Sequence, residues 1–130
     1  MLSLIPKKVI AGIITNNGKF LIAQRAKKDA LYGKWEFPGG KMEDGETEKE
    51  CLTRELFEEF GIAAEIDEYL CSSSFEHKGA PYEMRAYFVR KFSGDPVLYE
   101  HAQIRWVTKE QLCDFEYPDP DLPIIAELLK

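Results

Sequence analysis

Cysteine is scarce, with only Cys51, Cys71 and Cys113 in 130 residues. Three thiols cannot all pair within one chain and no two stand at metal-finger spacing, so free cysteines in a reducing, cytoplasmic setting are expected. No apolar run approaches the ~20 residues that a bilayer span needs, so no membrane partner is expected. The opening Met1–Pro6 is too short for a secretory h-region and lacks a small-residue cleavage site. Only two histidines occur, His77 and His101, neither with a partner at zinc spacing, and both read as surface or loop residues. There is no GxxxxGK(S/T) phosphate loop, which excludes P-loop chemistry. No His–Cys arrangement makes Cys51 a thiol nucleophile. Repeats, low-complexity tracts and linkers are also missing, and 15.0 kDa suits one domain over residues 1–130.

Positive charge is in short supply too: 17 basic against 23 acidic residues leave a net charge of −6. The imbalance is local. Between Glu43 and Glu59 eight acids meet two bases, which is −6, and the rest of the chain balances at fifteen of each. A nucleic-acid polymer needs a surface of the opposite sign, so DNA or RNA duplexes are unexpected partners. Such a carboxylate patch is either a solvated helix face or a holder of divalent cations, and spacing must decide between them.

Hydrophobic patterning predicts a mixed β architecture with two helices. Lys7–Thr15 reads as a strand, Asn16-Asn17-Gly18 as a tight turn, and Lys19–Arg25 as the hairpin partner. A short extended piece, Trp35–Phe37, should be stopped by a sharp turn at Pro38-Gly39-Gly40. Thr47, with Glu50 three residues on, forms a capping box for a helix ending at Phe60, with Gly61 as its stop. Ile62–Ser74, Tyr82–Phe92 and Ile104–Val107 read as strands and Thr108–Leu112 as a helical turn. A C-terminal helix over Leu122–Leu129 carries Pro123 in its first turn, where Asp121 could serve as N-cap.

The acids of the first helix do not sit where a solvated face would put them. At 100° per residue with Leu52 at zero, Leu56 and Phe60 fall at about +40° and +80°, and Glu59 falls at about −20°. Glu55 and Glu58 follow at about −60° and −120°. The carboxylates therefore crowd the edge of the apolar stripe. Like charges at i,i+3 and i,i+4 cost roughly 0.2–0.5 kcal/mol each when exposed, and more beside a core unless protonated or neutralised by a cation. Converging carboxylate oxygens suit Mg²⁺ or Mn²⁺.

The wider string is more specific. From Gly40 the chain runs through five residues to Glu46, seven more to Arg54-Glu55-Leu56, one to Glu58-Glu59, and one to Gly61-Ile62. This resembles the Nudix box, Gx5Ex7REUxEExGU with U aliphatic, at every specified position over residues 40–62. The resemblance implies an α/β (α+β) fold, an α/β/α sandwich with a mixed central sheet, in which a loop–helix–loop catalyses hydrolysis of nucleoside diphosphates linked to another moiety. By position it implies Glu55, Glu58 and Glu59 as ligands of Mg²⁺, with Mn²⁺ as a substitute, joined by the Gly39 carbonyl. Glu46 and Arg54 would brace the helix.

Phe37-Pro38-Gly39-Gly40-Lys41, Gln24-Arg25-Ala26, Trp106 and Leu122-Pro123-Ile124-Ile125-Ala126 look like the MutT-type branch, the small nucleoside triphosphate pyrophosphohydrolases. That branch places a glutamate six residues before the tryptophan near the metals, which here is Glu100, as a ligand or as the base that activates water. Arg25 and Lys41 would face phosphate oxygens beside Gly39 and Gly40. Asp121 falls where the branch carries an Asn or Asp against the nucleobase edge, and Phe37, Phe75 and Tyr82 are candidates to stack on the base. The implied activity is metal-dependent conversion of a nucleoside triphosphate to monophosphate and pyrophosphate, cleansing oxidised nucleotides such as 8-oxo-dGTP, with CTP, dCTP or another nucleoside diphosphate-linked substrate as the alternative. A nucleotide-sensing module without turnover would lack box acids, and none is missing here. The chain is expected to act as a monomer or weak homodimer.

Overall fold

The computed structural model describes residues 5–130; most of the Met1–Pro6 segment, read above as no leader, lies outside them. The chain runs β1 (Lys7–Asn16), β2 (Lys19–Gln24), β3 (Trp35–Glu36), β4 (Gly39–Lys41), α1 (Glu48–Phe60), β5 (Ala63–Glu65) and β6 (Tyr69–His77). It continues with β7 (Ala80–Val89), β8 (Lys91–Ser93), β9 (Gln103–Val107) and α2 (Leu122–Leu128), with 3₁₀ turns at Glu110–Asp114 and Asp119–Asp121. The main sheet is ordered β3-β2-β1-β7-β6, with β4 also on β1 and β9 also on β2. β1 and β7 are parallel and the other pairings antiparallel, the mixed sheet expected.

β1 alternates between two cores. Ile10 and Ile14 face Leu52, Leu56 and Phe60 of α1, while Ala11 and Ile13 face Phe37, Tyr117, Ile124 and Ile125 on the α2 side. A strand buried on both faces loses the polar alternation of an exposed sheet and reads as a continuous apolar run. The two helices thus cover opposite faces, giving the sandwich.

The β1–β2 turn has positive φ at both Asn17 and Gly18 (52° and 74°), the geometry that favours this dipeptide in a two-residue hairpin. Three sequence expectations change. The Ile62–Ser74 stretch breaks into β5 and β6, and β6 carries a register shift between Tyr69 and Cys71. Tyr82–Phe92 is interrupted at Arg90, beyond which β8 leaves the main sheet to pair with β5. Gly39 and Gly40, expected to stop a strand, form one: β4 pairs with β1 through Ala11↔Gly39 and Ile10↔Gly40.

Candidate active site

α1 begins as its sequence suggests. The Thr47 hydroxyl accepts from the Glu50 amide at 3.1 Å while the Glu50 carboxylate accepts the Thr47 amide at 2.9 Å, and Gly61 closes the helix at φ 70°. Arg54 then ties helix to preceding loop. Its Nε and one terminal nitrogen donate to the two oxygens of Glu46 at 2.6 and 3.1 Å, and the Lys41 carbonyl accepts at 3.2 Å. The Arg54 hydrogen bond and the Glu43 amide hold the Glu46 carboxyl down to about 2. The other terminal nitrogen of Arg54 donates to Glu55 at 2.9 Å and Glu58 at 3.1 Å. Glu50, also in helical reach of Arg54, serves the cap instead.

Glu55 lies directly against β4. A methyl group at Gly40 would stand 2.3 Å from the Glu55 carboxyl carbon, so glycine there leaves the space that the carboxylate occupies. At Gly39 the constraint is the backbone: φ is +154°, and a Cβ would fall 1.8 Å from the Ile10 carbonyl oxygen. The two glycines are thus required for different reasons, one by the Glu55 carboxylate and one by the central strand.

Glu59 is buried, 2% exposed, among the apolar residues of its helix as the wheel placed it. Burial first, then the negative charges of Glu55, Glu100 and Glu36, push its carboxyl up to about 9. One of its oxygens, Oε2, has no hydrogen-bond partner. Glu59 forms the wall of a cleft of about 550 Å³ together with Arg25, Lys27, Glu36, Gly39, Glu100 and His101. A second hollow of about 250 Å³ shares Arg25, Glu36 and Gly39 with the first and runs past Gly40, Lys41, Phe37 and Phe75 to Asp121. The site is therefore a cleft in two connected parts, one acidic and one largely apolar.

Gly39, Glu59, Glu100 and Arg25 gather in the acidic part; Gly40, Lys41, Phe37 and Asp121 line the apolar one. Arg25 is engaged from two sides, by Glu36 and Asp29 at 3.0 Å each. The Lys41 ammonium stands 5.5 Å over the Tyr82 ring. Phe37 is a core residue stacked on Tyr117, and Phe75 stacks on Tyr82. Glu58 is half exposed on Arg54. Among the described residues no three acids already form a metal-coordinating group. Asp121 makes no side-chain cap to α2; it is 2% exposed, with Oδ1 unpartnered. Burial, then the charge of Glu36, raises its carboxyl well above the ordinary range against the pull of Arg25.

His101 corrects the sequence reading. It is buried rather than superficial, its ring stacked on Phe60 at 5.3 Å and its Nε2 3.0 Å from Glu36. Glu36 and His101 both line the site without having been singled out. Glu36 adjoins the recognisable Phe37-Pro38-Gly39-Gly40 string, but nothing local to His101 marks it, because its partner is 65 residues away.

A central mixed sheet, a helix on each face and a glutamate-walled cleft at the C-terminal end of α1 define an enzyme of the acid-lined α/β/α sandwich class. The NUDIX domain model matches residues 6–128, and the chain belongs to the Nudix hydrolase family. It is 36% identical over 122 residues to the CTP pyrophosphohydrolase of Escherichia coli strain K12, covering 94% of this chain and 90% of that one. It is 31% identical over 122 residues to the 8-oxo-dGTP diphosphatase of the same strain, covering 93% and 95%. The solution structure of the E. coli ORF135 protein superposes with a TM-score of 0.88 at 35% identity, over 95% of this chain and 88% of that one.

Proposed function

We propose that this enzyme is a Mg²⁺-dependent nucleoside triphosphate pyrophosphohydrolase, with Mn²⁺ as an alternative ion. The observation that carries the reading is the joined cleft: buried Glu59 walls one part, buried Asp121 ends the other, and Arg25, Glu36 and Gly39 are common to both. A nucleotide laid along it sets its phosphates against the acids and its base in the apolar hollow.

The donor set suits a hard cation. Glu55, Glu58 and Glu59 come from one helical turn beside the Gly39 backbone, and the orphaned Oε2 of Glu59 is a buried acceptor awaiting a partner. A carboxyl raised to about 9 is protonated at neutral pH, and a divalent ion beside it would supply the positive charge that lets it ionise. A cation held by Glu55, Glu58, Glu59 and the Gly39 carbonyl would lower the pKa of a bound water and neutralise charge on the leaving pyrophosphate. Arg54 keeps Glu55 and Glu58 ordered through one nitrogen while its other contacts fix the Glu46 loop. Glu100, at the cleft wall, accepts the proton from the attacking water as the new phosphorus–oxygen bond forms and the anhydride bond breaks. Arg25 and Lys41 meet phosphate oxygens.

Asp121 reads the base. Burial raises its carboxyl well above the ordinary range, and in the protonated form it offers one donor and one acceptor side by side, matching an edge with the complementary pair, as on the oxo-purine 8-oxoguanine or on cytosine. Oxidised triphosphates such as 8-oxo-dGTP are the substrates we infer, consistent with the relatives named as 8-oxo-dGTP diphosphatases. CTP or dCTP is the second reading, favoured by the relative named CTP pyrophosphohydrolase. Pyrophosphate release from a panel of normal and oxidised triphosphates, with Mg²⁺ and with a chelator, tests both. Release confined to the Mg²⁺ arm and strongest on 8-oxo-dGTP or CTP is expected; no release from any triphosphate refutes the proposal.

A further inference from the structure

We infer that His101 is a positioning residue, which fixes Arg25 through Glu36 at the junction of the two parts of the cleft. The inference rests on the substrate orientation proposed above. Glu36 has two oxygens and each is claimed separately: Oε1 accepts from Arg25 at 3.0 Å and Oε2 accepts from His101 Nε2 at 3.0 Å. Facing a carboxylate, Nε2 carries the hydrogen. Glu59 Oε1 stands 3.8 Å from the same nitrogen, beyond hydrogen-bonding distance, so the single donor is committed to Glu36.

The imidazole is itself immobilised. It is 9% exposed, stacked on Phe60, and its loop is tied on both sides by backbone bonds, Tyr99 amide to Glu59 carbonyl at 3.3 Å and Ala102 amide to Gln24 carbonyl at 2.9 Å. Removing the Nε2 donor frees one oxygen of Glu36, and with it the carboxylate's orientation. The Arg25 guanidinium then loses its fixed partner on the cleft side and keeps Asp29 on the outer side. A cation meant to meet substrate phosphate is displaced, although no group that touches substrate has been altered.

Three substitutions separate this role from plain packing. His101→Phe keeps an aromatic ring on Phe60 and deletes the donor. His101→Gln carries an N–H at the reach of Nε2, and His101→Asn carries one only at the reach of Nδ1. The expected result is about a tenfold rise in KM for the triphosphate in the Phe and Asn variants, a kcat within about threefold of the parent, and recovery to within about threefold by Gln. Binding of a nucleoside monophosphate, measured by calorimetry without turnover, should weaken in the same order. In a Glu36→Ala background, His101→Phe should add less than twofold, because the route through Glu36 is already cut. Thermal melts confirm that each variant is folded. Equal KM and binding in all three variants, or an undiminished His101→Phe effect in the Glu36→Ala background, would overturn the assignment. If the parent protein binds the monophosphate but releases no pyrophosphate, the functional proposal fails while the calorimetric comparison still judges His101.

Discussion

Adjacent glycines at positions 39 and 40 should respond in opposite ways to the same added methyl group. At Gly39 the new Cβ would lie 1.8 Å from the carbonyl oxygen of Ile10, which belongs to the central strand and cannot step aside alone. Alanine also tolerates φ of +154° poorly, a strain on the order of 1–3 kcal/mol. Relief requires β4 to peel from β1, with hydrogen bonds such as Gly12 amide to Pro38 carbonyl (2.7 Å) and Met42 amide to Lys8 carbonyl (3.0 Å) at risk, at about 1 kcal/mol each. The sum, about 3–5 kcal/mol, is a large part of the 5–15 kcal/mol that holds a typical domain together. At Gly40 the obstacle is the tip of the Glu55 side chain, 2.3 Å away, which a rotamer change removes for about 0.5–1.5 kcal/mol. Loss of unfolded-state freedom returns about 0.4–1 kcal/mol, so the net stability change is near zero. The carboxylate, however, is driven from its place, and a misplacement of about 1 Å can cost on the order of 100-fold in rate. Urea unfolding and pyrophosphate release on both variants provide the assay. Gly39→Ala should be poorly folded; Gly40→Ala should melt like the parent and turn over about 100-fold more slowly. A fully active Gly40→Ala protein would show that the Glu55 position does not matter, and a stable Gly39→Ala protein would refute the steric reasoning at β1.

Two pH-dependent outcomes follow from buried or paired acids. Asp121 has a raised carboxyl, so the folded chain holds a proton that the unfolded chain releases above about pH 4, and its contribution to stability declines as pH rises from there. Asp121→Asn should therefore gain on the parent in Tm as pH rises above about 4 and shift base preference; a pH-independent difference would mean that Asp121 is charged in the fold. Glu48 is the opposite case: against desolvation, hydrogen bonds from Tyr87, Arg85 and Lys8 hold its carboxyl down to about 2. Its contribution is complete above the ordinary value of 4.5 and disappears as pH falls toward 2, amounting to about 1–3 kcal/mol at neutral pH after allowance for screening. Urea titrations of Glu48→Gln should show that deficit at pH 7 and its disappearance near pH 2; an equal deficit at both would place the loss in packing.

What the sequence revealed, it revealed through local rules. The α1 boundaries follow from a capping box and a left-handed glycine whose partners lie within four residues. The first hairpin follows from Asn17-Gly18. The second hairpin, β6 to β7, turns on Lys78-Gly79 with φ of 51° and 77°, the same geometry in a dipeptide with a much weaker signature. β4 was hidden because glycine ordinarily weakens a strand; here a side chain at Gly39 would collide with β1, so the sheet selects the residue that propensity disfavours. His101 and the burial of Asp121 were illegible for a different reason. Each depends on groups far along the chain, Glu36 for the first and Arg25, Glu36, Phe37 and Phe75 around the hollow for the second. Local reading assigned them the common fates of their residue types, an exposed loop position and a helix cap.

The buried polar groups of the site share a physical signature. Glu59 and Asp121 are acids buried in separate parts of one cleft, both pushed toward the neutral form by burial and by the charge of Glu36 between them. Arg25 and His101 answer Glu36 with hydrogen bonds, but neither makes one to Glu59 or Asp121, which keep unpartnered oxygens. A fold selected for stability alone would fill such a cleft with apolar groups, because an unsatisfied buried acceptor costs about 1–3 kcal/mol. Local rules are broken where a ligand is required to complete them. The complements proposed above, a cation for Glu59 and a hydrogen-bonding base edge for Asp121, would both come with a nucleoside triphosphate and its metal, set at the two ends of the cleft.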